Sequence, residues 1–451
     1  FLASKKPRPQ AVGFDPPTLN PGLFDFQAAC VEFALRQGRC GLYLDTGLGK
    51  TFCQLEWADK ALRASNGYAL ILTPLAVARQ MEREAHARGY DARVIREQAD
   101  AKPGINICNY DRLDKIDPDR FGVVSLDEAS ILKNFTGKTT RALIEAFAGH
   151  RFKMAATATP APNDHMELGQ QAEFLGVMPS NEMLMRWFIA DQTEMGRYRL
   201  KGHAEGSFWE WMAGWSRMAQ SPYDLGFDGA RYVLPELSVI RHRAAYGEVK
   251  PIDGSLFTLD TSATAIHQIK RQTAGARADE AARLVDTSSQ PWVVWVDTDY
   301  EADAVKDRIP EAIEVRGSMT IERKEENLAA FADGQARVML TKPSVAGMGL
   351  NWQHCARMAF VGRSFSYESW YQAVRRCWRF GQTKPVEAHI IVAEGEDQIG
   401  RVIDRKADDH ATMKRAMADA MKRAATKVKS RLTEYEPTHE GRTPAWLKSV
   451  A

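Results

Sequence analysis

The run DTGLGKT, Asp45–Thr51, directly follows the apolar stretch Gly41–Leu44 and has the composition of a polyphosphate cradle. Gly47 and Gly49 let the backbone curl so that successive N–H groups across Thr46, Gly47, Leu48 and Gly49 face phosphate oxygens. Lys50 reaches the β and γ phosphates, and Thr51 offers a hydroxyl to magnesium. A helix starting here points its positive end at the same phosphates. The full pattern has another glycine five positions before Gly49, where this chain has Leu44.

Three further clusters have types and spacing fit for chemistry. Asp127–Glu128 closes GVVSLDE; a carboxylate at a buried strand end can hold magnesium through water, and an adjacent Glu can polarise an attacking water. The bland alternative is a strand-ending turn. TATP, Thr157–Pro160, ends another apolar run, where small hydroxyl residues can approach a phosphate and a moving loop, or simply turn the chain. Far downstream, QAVRRCWRFGQ (Gln372–Gln382) sets Arg376 and Arg379 three apart, on one helical face. An always-charged planar guanidinium suits a γ phosphate, although taken alone such a run reads first as a solvated basic face. SVAGMGLN, Ser344–Asn351, adds a second glycine-bearing loop that includes Gly349.

The elements that must position these residues are legible as rhythm. GLYLDTG (41–47), YALILTP (68–74), GINICNY (104–110), GVVSLDE (122–128) and RFKMAATATP (151–160) each read as a buried strand followed by a loop. Such runs separated by helical segments predict a parallel sheet of βαβ units, with chemistry at the carboxyl ends of its strands. The rhythm breaks after Pro162 and resumes with PWVVWVDTD, AIEVRGS, ARVMLTKPS, RMAFVGRS and VEAHIIVAEG (291–395). The expected organisation is α/β: an extended lead-in over 1–22, a first lobe over 23–163, a mainly helical insertion over 164–290, a second lobe over 291–398 and a basic helical segment and tail over 399–451.

The order DTGLGKT, LTP (72–74), DEAS (127–130), TATP, GMGLN (347–351) and QxxxRxxRxGQ resembles the motif series of the superfamily-two helicases, and its last element resembles the Swi/Snf-like branch. The resemblance runs in order over about residues 23–400 and implies two tandem RecA-like lobes with ATP and magnesium between them. It implies that Lys50 and Thr51 bind phosphate and metal, that Asp127 holds the metal and that Glu128 is the catalytic base. Gln372, Arg376 and Arg379 would close the site from the second lobe, with Arg379 as the finger. Gln27 in FDFQ stands where the family reads adenine, Lys133–Asn134 follow the acidic box, and RGSMTIERKEENLAAF (316–331) resembles a second-lobe segment. Two departures are Ser130 at the fourth position of the box, in place of His, and Gln80 in the region where Trp is usual.

In this architecture a nucleic acid crosses both lobes opposite the ATP cleft. The candidate contacts are Thr73, Pro74, Asn109, Tyr110, Gly317, Ser318, Lys342 and Asn351, touching phosphates and so giving affinity without sequence reading. The expected partner is DNA, double-stranded before single-stranded or RNA, and the expected activity is ATP-driven translocation. A strand-separating helicase and a DNA-bound, ATP-switched clamp are the alternatives. Phe208, Trp209, Trp211 and Trp215 could stack on bases, but their spacing suits a helix packed on a core better. Residues 401–431 carry ten Lys/Arg against four Asp/Glu; they suit either phosphate tracking or a solvated face over a stripe of Met413, Met417 and Met421.

Composition sets outer bounds. Sixty Lys and Arg against fifty-eight Asp and Glu give a net charge of +2, so a polyanion must be met by a local basic surface. The six cysteines include no CxxC pair and no zinc spacing, which suits free thiols in a reducing compartment. No run approaches the roughly 18 apolar residues of a membrane span, and FLASKKPRPQ lacks the order of a signal peptide. A cytoplasmic protein of bacterial or phage origin, trimmed of its initiator Met, is the expectation.

Overall fold

The computed structural model describes residues 10–74, 77–134, 137–161, 164–190, 198–244, 263–346, 351–364, 366–393, 404–408, 411–413, 415–420 and 423. Its first strands are β1 (Arg39–Leu44), β2 (Tyr68–Thr73), β3 (Ala92–Val94), β4 (Gly104–Asn109), β5 (Val123–Asp127) and β6 (Phe152–Ala156). A short antiparallel hairpin of β7 (Phe188–Ala190) and β8 (Tyr198–Leu200) precedes β9 (Ser216–Ala219). Then come β10 (Leu237–Arg243), β11 (Trp292–Trp295), β12 (Ile313–Val315), β13 (Val338–Thr341), β14 (Arg357–Phe360) and β15 (Val386–Val392).

These strands form two parallel sheets, in the orders β3-β4-β2-β5-β6-β1-β9 and β10-β15-β14-β11-β13-β12. The expected tandem RecA-like lobes are present, and every strand read from the sequence is found. Side chains alternate between two covered faces, as a sheet with helices on both sides requires. Leu70 and Leu72 enter one apolar layer of the first lobe while Ala69 and Ile71 enter the other. Trp292 and Val294 face one layer of the second lobe, and Val293 and Trp295 the opposite one.

The order β5-β6-β1 matters most for function. Asp127 pairs with Ala156, and Ala156 pairs with Leu42. The strand ends that launch the acidic pair, the TATP turn and the glycine loop are therefore side by side.

The stretch 164–290, expected to stand apart as a helical insertion, is divided between the lobes. Its β9 extends the first sheet beside β1, and its β10 forms the edge of the second. The helix Ala263–Val285 packs Ala278, Ala281, Leu284 and Val285 into the second lobe's core. Strand β9 has the sequence SRMA, without a β-branched residue, and β10 is a half-exposed edge, so neither has the composition of a buried strand. The helix Glu205–Trp215 buries Phe208, Trp209, Trp211 and Trp215 in the first lobe, with Trp211 stacked on Trp187 at 4.7 Å. Those rings are core, as their spacing suggests, and they have no face free for bases. Met413 and Met417 are buried in the same first-lobe cluster, while Met421 lies outside the described residues.

Candidate active site

A cleft of about 590 Å³ opens between the lobes. Gln27, Thr46, Gly47, Gly49, Lys50, Thr51, Asp127 and Glu128 line it from the first lobe, and Asn351, Gln353, Arg376, Arg379 and Phe380 from the second.

The glycine loop joins β1 to the helix Lys50–Leu62. Gly47 and Gly49 have φ of 92° and 81°, where a side chain would be strained. Both also sit against neighbours: a Cβ on Gly47 would lie 2.9 Å from Cβ of Phe380, and one on Gly49 would lie 2.2 Å from Nε2 of Gln27. Gln27 donates from Nε2 to Leu48 O at 2.9 Å and accepts from Phe24 N at 3.1 Å, so its amide clips the loop to the chain ahead of it. Lys50 donates to Leu44 O at 2.9 Å, at the position where the longer glycine pattern departs. Burial pulls its ammonium below the ordinary lysine range, against the attraction of Glu128, Asp45 and Asp127.

Asp127 ends β5 within a built shell. Gln54 donates to its Oδ1 at 2.9 Å and Thr73 to its Oδ2 at 3.1 Å, while Ser125 holds Gln54 at 2.8 Å. Glu128 follows with φ 53° and ψ 54°, the one non-glycine residue at positive φ among the described residues. That conformation costs about 1 kcal/mol and turns the carboxyl into the cleft. Thr157 donates to Glu128 Oε2 at 3.3 Å. Burial raises both carboxyls above their ordinary values, Lys50 opposing in each case. Two adjacent carboxylates whose charge is penalised by burial suit a cation, and Thr51 opens on the same space. Among the described residues no three His, Cys, Asp or Glu gather as a metal cage.

From the second lobe, the helix Tyr367–Cys377 and the turn after it bring in the arginines. Arg376 is buried within the electrostatic reach of Glu128, and its Nε donates to Gln372 O at 2.9 Å. Arg379 lies near Lys50 and Glu84. Burial, followed by the neighbouring guanidinium, lowers the affinity of each for its proton. Gln372 does not line the cleft; its amide donates to Glu368 Oε1 at 3.5 Å. Glu368 also accepts from Thr159 at 3.4 Å and from Lys133, two first-lobe residues. Gln382 donates to Gln353 O, Cys355 O and Cys377 O at 3.0, 3.0 and 3.2 Å and so fixes the turn that carries Arg379.

Of the expected nucleic-acid contacts, Asn351 lines this cleft, and Thr73 and Tyr110 hydrogen-bond Asp127 behind it. Thr73 is fully buried and serves Asp127; Tyr110 donates its hydroxyl to Asp127 O at 2.6 Å; Asn351 is exposed on the cleft wall. The reason is that β2, β4 and β5 are neighbours, so residues ending β2 and β4 meet the end of β5. Pro74 and Asn109 are half-buried, and Gly317 and Ser318 are exposed. Lys342 pairs with Asp299 at 2.9 Å and borders a smaller cavity with Ser344, Arg363 and Ser364. Gly349 lies outside the described residues. Sequence reasoning missed Gln54, Tyr371, Glu368 and Arg375. Gln54 was traceable, being one turn after Lys50 on the same helix face.

Residues 285–381 match the helicase conserved C-terminal domain. Lymphoid-specific helicase of Homo sapiens is 29% identical over 102 residues, which are 22% of this chain and 12% of that protein's length. The structure of S. cerevisiae Dbp5 bound to RNA and ADP BeF3 superposes with a TM-score of 0.56 at 12% identity, covering 88% of this chain and 93% of that one. The likeness shows a shared arrangement of two RecA-like lobes.

Proposed function

We propose that this chain, whose residues 285–381 match the helicase conserved C-terminal domain, is a nucleic-acid-dependent ATPase of the superfamily-two helicase type that translocates on DNA, duplex before single strand. The carrying observation is one cleft lined by Lys50, Asp127 and Glu128 from one lobe and by Arg376 and Arg379 from the other. Neither lobe has the full set, so turnover requires closure, and closure that alternates with opening can be converted into stepping.

In this reading the phosphate chain lies along the backbone of Thr46–Gly49, and Lys50 leaves Leu44 O for the β and γ phosphates. Thr51 and Asp127 hold magnesium, which supplies charge neutralisation on those phosphates. Glu128, whose hold on a proton burial strengthens, takes a proton from the attacking water as that water's oxygen bonds to the γ phosphorus and the bond from that phosphorus to the β–γ bridging oxygen breaks, so that ADP leaves. Arg376 and Arg379 stabilise the negative charge on the transferring group. Gln27 meets the base from the loop it clips. Pro74, Asn109, Gly317, Ser318 and Lys342 remain the candidates for phosphate contacts on the polymer.

The duplex preference is supported by the Swi/Snf-like form of the Gln372–Gln382 motif. The similarity to a helicase solved with RNA favours a second reading, an RNA-acting enzyme. ATP turnover measured without polymer and with single-stranded DNA, duplex DNA and RNA separates the two. Stimulation by duplex that grows with its length, together with triplex displacement, is expected; stimulation by RNA alone would reverse the assignment. A response indifferent to duplex length would point to a switched clamp.

A further inference from the structure

The helix Tyr367–Cys377 and its turn carry three arginines, and Arg375 is the one that does not line the cleft. Its Nη2 donates to Thr46 O at 2.8 Å and lies 3.2 Å from Oδ1 of Asp45. One turn earlier, Tyr371 donates its hydroxyl to the same Asp45 oxygen. That oxygen also accepts from Thr46 N at 2.6 Å. The two charged side chains retain only 10% and 5% of their exposure, for Asp45 and Arg375 respectively. A buried ion pair thus grips the first residues of the glycine loop, with one partner from each lobe.

We propose that Asp45, Arg375 and Tyr371 form an interlobe latch that positions Arg376 and Arg379 for the γ phosphate, acting through closure and not by touching nucleotide. The proposal rests on the nucleotide-site reading above. Three features carry it. First, Asp45 and Arg375 come from different lobes, so parting of the lobes would separate and hydrate them and the contact can form and break in every cycle. Second, one guanidinium nitrogen, Nη2, meets both the Thr46 carbonyl and the Asp45 carboxylate, which fixes the place of the helix against the loop. Third, the same helix is held near its other end, where Glu368 accepts from Lys133 and Thr159. With both ends held, the helix keeps Arg376 within the electrostatic reach of Glu128. The close fit of Phe380 against Gly47 extends the contact past the helix. Burial of the pair makes it demanding rather than strongly adhesive, because desolvation offsets most of the attraction; that is the property a reversible latch needs.

A double-mutant cycle in the full chain tests this, with ATP turnover and a dye pair reporting interlobe distance in the presence of a non-hydrolysable ATP analogue. Asp45→Asn and Arg375→Met are each expected to raise KM for ATP and lower kcat by about tenfold. The double variant should be no worse than the poorer single one, as for two residues sharing one interaction. Arg375→Lys should recover part of the loss, and Tyr371→Phe should shift the same parameters by about threefold, a mild change that keeps the test open should a charge variant fail to fold. Arg376→Ala should still close on the analogue while losing turnover. Effects of Asp45→Asn and Arg375→Met that multiply, or full analogue-driven closure in Arg375→Met, would overturn the latch. A wild-type chain that closes on the analogue but does not turn ATP over would sink the motor reading and leave the latch standing on the distance measurement.

Discussion

The hydroxyl of Thr73 donates to Oδ2 of Asp127 at 3.1 Å, joining the ends of two neighbouring strands, β2 and β5. Thr73 thus supports the proposed metal carboxylate. Thr73→Val keeps the shape and removes the donor. We expect the magnesium concentration for half-maximal ATP turnover to rise about 10-fold, in the range seen for groups that orient metal ligands, with polynucleotide affinity unchanged. Weaker polynucleotide binding at an unaltered magnesium requirement would return Thr73 to the polymer track.

The two cleft arginines should separate binding from chemistry. Arg379→Ala is expected to cut turnover by about 10³-fold or more, as loss of an arginine finger does, while ATP binding is largely kept through the first lobe. Lys50→Ala should abolish turnover. Near-normal hydrolysis by Arg379→Ala would contradict a site completed from both lobes.

Lys153 is fully buried in β6, its Nζ donating to Phe147 O at 3.1 Å. Burial, with the nearby Arg39, pulls its ammonium down to about 7. A lysine in the unfolded chain holds its proton to about pH 10.4. Between those two values the unfolded state binds more protons, so stability rises with pH across the window and is lowest below it. Lys153→Met should therefore melt about 3–6 °C above wild type at pH 6.5, with the difference shrinking toward pH 9.5. A difference independent of pH would show that the ammonium is solvated in the native state.

Arg277 and Glu301 form an ion pair at 2.7 Å with both side chains fully buried in the second lobe. Glu301 also accepts from Asp297 N and Thr298 N at 2.9 and 3.0 Å, at the start of the helix Asp299–Arg308. Glu301→Ala leaves a buried guanidinium without its counter-charge and should cost about 3–5 kcal/mol in urea unfolding. Replacing both partners, as Arg277→Met with Glu301→Leu, should recover most of it. A loss below about 1 kcal/mol, the range of an exposed pair, would mean that water reaches the site.

Local order was what the sequence could determine. Glycines at 47 and 49, Lys50, the acidic pair at 127–128 and the buried strand runs announce their roles through spacing and hydrophobic period, which are properties of neighbouring residues along the chain. They were enough to set out two parallel sheets and a glycine loop at the end of β1. Strand order, and with it every contact between distant segments, came only with the tertiary structure. Placing β2 beside β5, with β4 next to β2, brought Thr73 and Tyr110, expected as polymer contacts, against Asp127. The weakly patterned strands β9 and β10 found partners in opposite lobes because an existing sheet edge accepts a short strand whatever its composition. Arg375 differs from Arg376 by one position and about 100° around the helix, and that rotation sends one guanidinium to a protein carboxylate and the other toward the cleft.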